Sequence, residues 1–540
     1  MAGYRKPYNN GRYGSAAEKK AEADQPNKKR FYKKAEPIVK IPFVPMATPT
    51  DQQTAIIEEI LHGSGNLVVC ARAGTGKTKT ILQAISQMPT DKTGAYLVFG
   101  NRNAREAEAK MPSHPGISIF THHALGYRSQ KAAFGKQVTL DTDKMPHIIT
   151  AMVGYEDDKV ELCYNLEKAI SLCKGYLAED EETVIQVCDS FGVEYCDVKP
   201  QDFAQYVLKG METSTSQKFR LAFDDMIYNA VKLNVHVPQF DFVFVDEAND
   251  CSRGRLALSL MACKPGGRLI FCGDDRQCIF VFCGASLDTM DQIISKTNAK
   301  TLPMTITHRC CKSVVRAAQA IVPDYVAAES NPEGEVKTVT EDYMMENARN
   351  GDLVISRTNS ALVPIAMQFW KQKKRCHIQG KDFSKNLLFT IKRSGASSVE
   401  GFLSWLTEWK DTEVEKLSAR KRDYAHVTDK YEVLVNLSDD CNTLDELKNN
   451  IRNLFDDVDQ EGAAGTITAS TTHKYKGMEA DRVWMLNATY KPGKGQEEDN
   501  LVYVAMTRSK DSLFFVGGGP IISDAVVAEG EAEVVAETQV

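Results

Sequence analysis

The stretch Ala71-Arg72-Ala73-Gly74-Thr75-Gly76-Lys77-Thr78 decides the fold of this chain. It follows the apolar run 67–70 and precedes a helical pattern at 81–85. A strand, a loop of small residues, Lys-Thr and a helix are the parts of a P-loop, in which backbone N–H groups and a helix N-terminus surround a phosphate. We expect Lys77 to reach the β- and γ-phosphates of ATP and Thr78 to bind Mg²⁺. Ala71 stands where the general pattern has its first glycine.

A pair of carboxylates ends a second apolar run. Residues 242–245 lead directly into Asp246 and Glu247. Charges at the end of a buried strand are unfavourable unless they have partners or a role. We expect Asp246 to hold the Mg²⁺ shared with Thr78, and Glu247 to take a proton from an attacking water. The alternative, an acidic cap on the strand, is less favoured beside a P-loop.

Apolar runs of strand length fall into two sets. The first set is at 66–70, 95–100, 242–246 and 268–273, and the second at 352–356, 466–470, 483–487 and 513–517. Continuous rather than alternating apolar runs are typical of parallel sheets covered on both faces. The sequence therefore predicts an α/β protein with two doubly wound domains.

Two helical segments interrupt these sets, at 124–222 and 392–462. Pro200 suits a first helical turn, and capping boxes are predicted at Ser397-x-x-Glu400 and Thr443-x-x-Glu446. Trp405 and Trp409 are interpreted as core residues rather than ligand stackers. The predicted domains are a first domain over 46–123 and 223–290 with insertion 124–222, and a second over 291–391 and 463–520 with insertion 392–462.

Charge is distributed unevenly. Residues 1–40 contain 11 Lys and Arg against 4 Asp and Glu, so the other 500 residues carry a net charge of −13 within the total of −6. We interpret 1–45 as a disordered basic arm, which either contacts nucleic acid through its Tyr, Lys and Arg side chains or is a solvated tail. The acidic tail 521–540 either docks a partner, such as a replication or single-strand-binding protein, or only aids solubility.

The sequence shows no signals for a membrane protein, a secreted protein, a zinc site or a nuclease. No apolar run approaches the length of a membrane span, no signal peptide is recognisable, and we predict a cytoplasmic protein, nucleoid-associated or in the host cytoplasm if the chain is viral. The 14 cysteines have no defensible zinc spacing and are interpreted as buried thiols. No nuclease constellation is recognisable.

Several further motifs carry a family resemblance. They are Gly273-Asp274-Asp275-Arg276-Gln277, Thr307-His308-Arg309, Thr472-His473-Lys474-Tyr475-Lys476-Gly477-Met478-Glu479 and Tyr503-Val504-Ala505-Met506-Thr507-Arg508. With the P-loop and Asp246-Glu247, their order from about residue 48 to 517 resembles a superfamily 1 helicase of the UvrD/PcrA/Rep type. The resemblance implies two RecA-like P-loop NTPase domains that close on ATP and Mg²⁺.

The resemblance assigns the ATP-site residues one by one. Gln52 reads the adenine edge, Gln277 senses the γ-phosphate, and Arg309 and Arg508 are arginine fingers that stabilise charge in the transition state. Glu247 and Lys77 complete the catalytic set. The remaining nucleotide contacts implied are Ala73, Gly74, Thr75, Gly76, Thr78, Lys79, His308, Gly477 and Glu479.

The resemblance also implies contacts to single-stranded DNA and duplex junctions. They are Phe99, Asn101, Arg102, Thr121, His123, Phe280, Phe282, Arg357, Asn359 and His473. Bases stack on aromatic rings for roughly 1–3 kcal/mol each without regard to sequence. Core packing is the alternative role of Phe280 and Phe282.

The chain departs from the family pattern at four positions. Phe282 stands where the family usually has Trp, and Asn249 replaces the Gln of Asp-Glu-Ala-Gln-Asp. Lys79 and His308 stand where the family usually has the Arg and Tyr that sandwich the adenine. A lysine does not stack flat on a ring, so adenine selectivity is expected to be weaker.

The sequence therefore predicts an ATP-dependent helicase or translocase on single-stranded DNA, acting in replication, repair or recombination. The family resemblance implies 3′→5′ travel. The alternatives are a translocase that displaces proteins without efficient unwinding and a nucleotide-switched DNA-binding scaffold. Small size and a basic arm suit a phage or plasmid factor.

Overall fold

The computed structural model describes residues 39–154, 159–196, 198–279, 287–419, 424–439, 441–455 and 465–517. The chain divides into two compact units, Met1–Ala71 with Lys77–Met304, and Arg72–Gly76 with Thr305–Val540. Within the described ranges, every helix is too short or too polar to cross a bilayer.

The first unit alternates strands and helices. Its strands are β1 (Leu67–Ala71), β2 (Gly94–Val98), β3 (Ile117–Thr121), β4 (Thr139–Leu140), β5 (Arg220–Leu221), β6 (Phe240–Asp246), β7 (Cys263–Gly273) and β8 (Lys300–Met304). Its helices are α1 (Asp51–His62), α2 (Lys77–Gln87), α3 (Asn101–Lys110), α4 (His122–Phe134), α5 (Lys144–Val153), α6 (Val160–Tyr176), α7 (Glu181–Ser190), α8 (Pro200–Ser216), α9 (Asp225–Lys232), α10 (Arg253–Met261) and α11 (Thr289–Thr297).

The main sheet of this unit is parallel and has the strand order β3-β2-β6-β7-β1-β8. Apolar clusters cover both of its faces, as the continuous apolar runs predicted. Strand β7 lies between β1 and β6, so that Val69 and Asp246 both pair with Cys272. This order brings the P-loop end of β1 and the carboxylate end of β6 to one edge of the sheet, where ligands bind in open α/β folds.

Helices α5 to α9 pack around a separate apolar cluster. Pro200 is in the first turn of α8, as predicted. The short parallel pair β4–β5 was not predicted, because two-residue strands leave no periodic pattern. Between these helices, the buried side chains of Lys144 and Lys174 both bind the Asp225 carboxylate. The distances from Nζ to the carboxylate oxygens are 2.7 Å for Lys144 and 2.6 Å for Lys174.

The second unit has its own set of elements. Its strands are β9 (Ile306–Thr307), β10 (Val326–Ala327), β11 (Glu335–Val339), β12 (Leu353–Ser356), β13 (Cys376–Ile378), β14 (Ile467–Thr471), β15 (Ala480–Leu486) and β16 (Ser509–Val516). Its helices are α12 (Lys312–Gln319), α13 (Glu341–Asn347), α14 (Leu362–Lys371), α15 (Lys381–Ser394), α16 (Val399–Ala419), α17 (Ala425–Ser438), α18 (Leu444–Leu454), α19 (Thr472–Tyr475) and α20 (Gln496–Met506).

The second sheet is also parallel, in the order β11-β16-β15-β12-β14-β13. The α/β prediction with two parallel sheets is therefore confirmed, and each of the eight predicted strands overlaps a strand of the structure. The edge strands β3, β8, β11 and β13 were missed. The apolar signal of these strands is weak because β3, β8 and β11 are partly exposed and because β13, although buried, has only three residues.

Helices α15 to α18 extend the core of this unit, and Trp405 and Trp409 pack against it. The predicted capping box of Thr443 is present, because the Thr443 side chain accepts from the Glu446 N–H and the Glu446 side chain accepts in return. The box predicted at Ser397 is wrong: the next residue, Ser398, accepts the Gly401 N–H at 3.1 Å. Two adjacent serines made the sequence ambiguous there.

Two predicted boundaries are corrected. Strand β8 pairs with β1, so the first sheet extends past the boundary predicted at 290/291. The predicted arm 1–45 ends too late, because the Ile41 N–H donates to the Ala109 carbonyl at 2.9 Å and Lys40 Nζ to the Glu108 carbonyl at 2.8 Å. Residues 1–38 and 518–540 lie outside the described residues.

Candidate ATP and nucleic-acid sites

Lys77, the first residue of α2, forms an ion pair with Glu247 at the end of β6, with 3.3 Å between Nζ and Oε2. Burial disfavours the charge of Lys77, but the carboxylates of Glu247, Asp274 and Asp246 outweigh burial and raise the pKa of Lys77. Lys77 is therefore a firmly charged cation whose partner is the predicted general base.

Thr78 and Asp246 are adjacent, with 3.4 Å between Oγ1 and Oδ2. Burial and the neighbouring Glu247 raise the pKa of Asp246. A second hydroxyl, that of buried Tyr96 on β2, donates to Asp246 Oδ2 at 2.8 Å. The hydroxyl and carboxylate oxygens of Thr78 and Asp246 are donors that suit Mg²⁺.

Sequence reasoning missed Tyr96. Its only signal was a tyrosine inside an otherwise apolar strand, Gly94–Val98. The contact arises because β2 is the neighbour of β6 in the sheet, which the sequence does not state. A buried tyrosine hydroxyl needs a partner, and Asp246 supplies it.

Glu247 has a left-handed backbone, with φ of 51° and ψ of 48°. Non-glycine residues adopt this conformation rarely, and it concentrates at functional sites. Beyond it, the Asn249 side-chain oxygen accepts the Asp274 N–H at 3.1 Å, and Gln277 Nε2 donates to Asp274 Oδ2 at 2.7 Å. Asn249, the departure from the family pattern, is thus linked to the predicted sensor Gln277 through Asp274.

Residues Arg72–Gly76 of the P-loop cluster with the second unit. The Ala73 N–H donates to the Tyr503 hydroxyl and the Ala73 carbonyl accepts from the Tyr325 hydroxyl, both at 2.9 Å. Gly74 and Gly76 have positive φ of 69° and 84°. A Cβ at Gly74 would also collide with Thr307 and Arg309, so this position requires glycine for both conformation and space.

Arg309 is paired with Glu479, with 2.7 Å between Nε and Oε2. Lys510 lies 3.1 Å from the other oxygen of the same carboxylate. Burial opposes ionisation of Glu479, but Arg309 and Lys510 lower its pKa below the usual value. The first predicted arginine finger therefore has a carboxylate partner that is also a predicted nucleotide contact.

Arg508 is in a different environment, because only 1% of its surface is exposed. Its guanidinium donates to the Val504 and Met478 carbonyls at 2.9 and 3.0 Å. Burial and the nearby Arg309 lower the pKa of Arg508 to about 10, so it stays protonated at neutral pH. In this conformation Arg508 binds backbone carbonyls of its own unit.

The other predicted nucleotide residues belong to both units. Gln52 is half-buried in the first turn of α1, and Lys79 is exposed on α2. Buried Thr75 donates its hydroxyl to the Arg72 carbonyl at 2.9 Å. Exposed His308 donates its backbone N–H to the Gly74 carbonyl at 3.0 Å, and Gly477 is exposed with φ of 85°.

The predicted DNA contacts of the first unit follow β2 and β3. Phe99 is 37% exposed, and the Arg255 guanidinium lies 4.2 Å from the centre of its ring. Thr121 caps α4 by accepting the Ala124 N–H at 3.1 Å. The His123 ring stacks on Phe223, with 4.0 Å between centroids. Arg255 and Phe223 were not predicted, and no motif marked them.

Further predicted DNA contacts are positioned differently. Asn101 is exposed at the start of α3. In the second unit, Arg357 donates to Glu498 at 3.1 Å, Asn359 donates to Asp429 at 3.2 Å, and His473 is half-buried in α19. The Arg102 side chain, Phe280 and Phe282 lie outside the described residues.

Comparison with known families supplies the identity. Residues 50–298 match the UvrD/REP helicase N-terminal domain, and residues 466–516 match the UvrD-like helicase C-terminal domain. The chain belongs to the UvrD/Rep helicase family. Within this UvrD/Rep chain, Arg309, Arg357 and Asn359 lie between the two matched segments.

Two similar proteins have names that agree with this family. The UvrD/Rep chain is 24% identical over 519 residues to F-box DNA helicase protein 1 of Schizosaccharomyces pombe, covering 86% of the chain and 57% of that protein. It is 25% identical over 292 residues to ATP-dependent DNA helicase PcrA of Bacillus subtilis, covering 49% of the chain and 38% of PcrA. The chain thus spans between about two fifths and three fifths of the length of these relatives.

Proposed function

We propose that this chain is an ATP-driven helicase or translocase on single-stranded DNA, hydrolysing ATP with Mg²⁺. The observation that carries the proposal is the cluster at the edge of the first sheet, where Lys77 lies 3.3 Å from Glu247 and Thr78 lies 3.4 Å from Asp246. One cation, one strained carboxylate and one hydroxyl–carboxylate pair are the groups that phosphoryl transfer to water needs. Curated relatives named DNA helicases support the choice of substrate.

Lys77 and Glu247 would change partners when ATP binds. The phosphates would take Lys77 from Glu247, because phosphate presents more negative charge than one carboxylate. Glu247 would then be available to orient a water and accept its proton. Thr78 and Asp246 would hold Mg²⁺, which would offset phosphate charge.

Arg309 and Arg508 are proposed to stabilise the charge that develops on the γ-phosphate. Arg309 would have to leave Glu479, an exchange of one anion for another. Arg508 would have to leave two carbonyls inside its unit, an exchange of neutral acceptors for a charged one. Adenine selectivity is proposed to depend mainly on Gln52, since Lys79 is exposed and cannot stack flat.

Phe99, His123 and the other residues assigned by family resemblance are proposed to hold the DNA strand, with travel in the 3′→5′ direction. Stacking on rings is tolerant of sequence, which suits a motor that moves along any DNA. Replication, repair and recombination are the processes in which such a motor would act.

The decisive experiment measures ATP hydrolysis with and without single-stranded oligonucleotide, and then strand displacement on 3′-tailed, 5′-tailed and forked duplexes. We expect stimulated hydrolysis and preferential unwinding of the 3′-tailed substrate. Stimulation without displacement would favour the protein-stripping translocase. ATP and DNA binding with unstimulated, slow hydrolysis would favour the nucleotide-switched scaffold, and unwinding of only the 5′-tailed duplex would reverse the proposed direction.

A further inference from the structure

Helix α4 carries a mixed aromatic and basic stripe on its partly exposed side. The stripe consists of His123, Tyr127, Lys131 and Phe134 on α4, with Phe223 and Lys218 facing it. Residues three and four apart lie on the same side of a helix, so the four α4 positions form one line about 16 Å long. We call these six residues the α4 stripe.

Rings and cations are paired along the stripe. Phe223 stacks on His123 at 4.0 Å, Lys131 Nζ lies 4.7 Å from the centre of the Tyr127 ring, and Lys218 Nζ lies 5.5 Å from that of Phe134. Phe223 is 56% exposed and Phe219, next to Lys218, is 51% exposed. Phe134 packs partly against the core, but two large exposed rings on one surface are typical of a binding site.

The charge of this surface is the opposite of that of the whole chain. Residues 122–140 and 217–223 contain five Lys and Arg and no Asp or Glu, although the chain has a net charge of −6. Three nearby carboxylates have partners outside the stripe: Asp141 pairs with Arg220, Asp225 pairs with two buried lysines, and Asp224 accepts from the Ser171 hydroxyl. Among the described residues, no carboxylate pairs with Lys131 or Lys218. Their charge is therefore available to a ligand.

The stripe begins at His123, one of the proposed DNA contacts. We propose that the α4 stripe extends the path of single-stranded DNA along α4, with Lys131 and Lys218 binding phosphates and the rings stacking on bases. The combination of unpaired cations with exposed rings is what single-strand binding surfaces use. This inference rests on the proposed function, since it presupposes that the chain binds DNA.

The test is the double variant K131E/K218E, with K92E/K296E as the matched control. Both variants change the net charge by the same amount at exposed lysines of the first unit, and the control sites lie before β2 and near the end of α11, away from α4. Affinity for a fluorescein-labelled single-stranded oligonucleotide is measured by anisotropy over a series of salt concentrations, and circular dichroism verifies folding.

We expect K131E/K218E to weaken binding at least about tenfold near 50 mM salt and to reduce the slope of log K against log salt by about 1.4, because each phosphate contact contributes about 0.7 for single strands. The control should keep the wild-type slope within about 0.3. Equal losses in the two variants would overturn the inference. The inference would also be overturned if K131E/K218E kept its oligonucleotide affinity but bound a synthetic peptide of residues 521–540 more weakly than the wild type does. That result would assign the α4 stripe to a protein partner.

The wild type separates this inference from the proposed function. If the wild-type chain shows neither oligonucleotide binding nor DNA-stimulated hydrolysis, the proposed function fails. If the wild type binds and K131E/K218E binds equally well, only the α4 stripe is excluded from the path.

Discussion

The cations that are predicted to contact phosphate have different partners in the two units. In the first unit, Lys77 is paired with Glu247, a carboxylate that is itself predicted to react. In the second unit, Arg309 is paired with Glu479, whereas buried Arg508 is held by the Val504 and Met478 carbonyls. Lys77 and Arg309 each have a carboxylate partner, but Arg508 has neutral acceptors.

This difference distinguishes cations that can exchange their partner for a phosphate from a cation that also supports the folded structure. A phosphate competes directly for a cation held by a carboxylate, so Lys77 and Arg309 can exchange partners without leaving a buried group unsatisfied. Movement of Arg508 would take a donor from the Met478 carbonyl and one of two donors from the Val504 carbonyl, which also accepts from the Thr507 hydroxyl at 3.3 Å. A buried carbonyl that loses its donor is unfavourable by about 1–3 kcal/mol. We therefore expect Arg508 to combine a structural role with its proposed catalytic one.

The largest effects are expected for the two arginines. Arg508→Ala and Arg309→Ala should each lower ATP turnover by about 10³-fold, the magnitude typical of arginine fingers, with much smaller changes in ATP affinity. Only Arg508→Ala should also lower the melting temperature markedly, because only Arg508 satisfies buried carbonyls. Steady-state kinetics, nucleotide binding and thermal melting on both variants make the comparison.

Equal melting temperatures for the two arginine variants would break the contrast between them. Equal losses of turnover and of ATP affinity in either variant would reduce that arginine to a binding role. Glu333→Gln, which removes the exposed ion pair between Arg316 and Glu333, is the control for loss of a surface ion pair in the second unit.

Glu247→Gln should keep ATP binding and lower hydrolysis by about 10²–10⁴-fold, since glutamine cannot accept the proton. ATP should bind as tightly as to wild type or tighter, because Lys77 no longer has an anionic competitor. Isothermal titration and single-turnover hydrolysis measure the two quantities. Near-normal hydrolysis would remove Glu247 from its proposed role, and Glu212→Gln, exposed on α8, is the matched control.

Tyr96→Phe should raise the Mg²⁺ concentration that gives half-maximal hydrolysis by about fivefold, because Asp246 loses one hydrogen bond worth about 1 kcal/mol. Maximal turnover at saturating Mg²⁺ should change little. Titration of activity against Mg²⁺ measures the effect. An unchanged half-saturating Mg²⁺ concentration would show that the hydrogen bond from the Tyr96 hydroxyl does not affect Mg²⁺ binding. Tyr164→Phe, which removes a hydroxyl from a half-exposed ring, is the control.

The smallest effect is a pH dependence that distinguishes the units. Burial, with nearby Arg255, lowers the pKa of His122 in the first unit to about 3, below its unfolded value near 6.5. The unfolded state then binds more protons between these values, so stability is lost as pH falls below about 6.5. Glu479 in the second unit has a lowered pKa and should lose its contribution only below about 4.5.

Hydrogen exchange at pH 7.5 and about pH 5.5 tests this order of loss. We expect amides around α4 to lose on the order of 1 kcal/mol of protection first. His122→Gln should reduce this loss but not abolish it, because burial also lowers the pKa of neighbouring His123, to about 4. The exposed His147→Gln should not reduce it. Simultaneous loss in both units, unaffected by His122→Gln, would assign the acid sensitivity to other groups.

Local sequence was sufficient for much of the fold. The apolar runs gave both parallel sheets because residues buried on two faces leave an unbroken apolar pattern. The sequence also predicted roles for Lys77, Thr78, Asp246 and Glu247, since a P-loop and a carboxylate-ended strand are each contiguous in sequence; these roles stay predictions. It failed at the edge strands β3 and β8 and at Tyr96, because each depends on a neighbour distant in the chain. It also failed at the serine that caps α16, because Ser397 and Ser398 are adjacent and fit the local pattern equally well.

By itself the sequence determined the element types, the family motifs and which residue kinds could meet a phosphate. Only the tertiary structure decided that β7 lies between β1 and β6 and that Tyr96 hydrogen-bonds Asp246. It also decided that Arg508 is buried against carbonyls and that Lys218 and Phe223 complete the α4 stripe. The physical reason is that strand order and side-chain partnership arise from packing between distant segments, which periodicity and local motifs do not record.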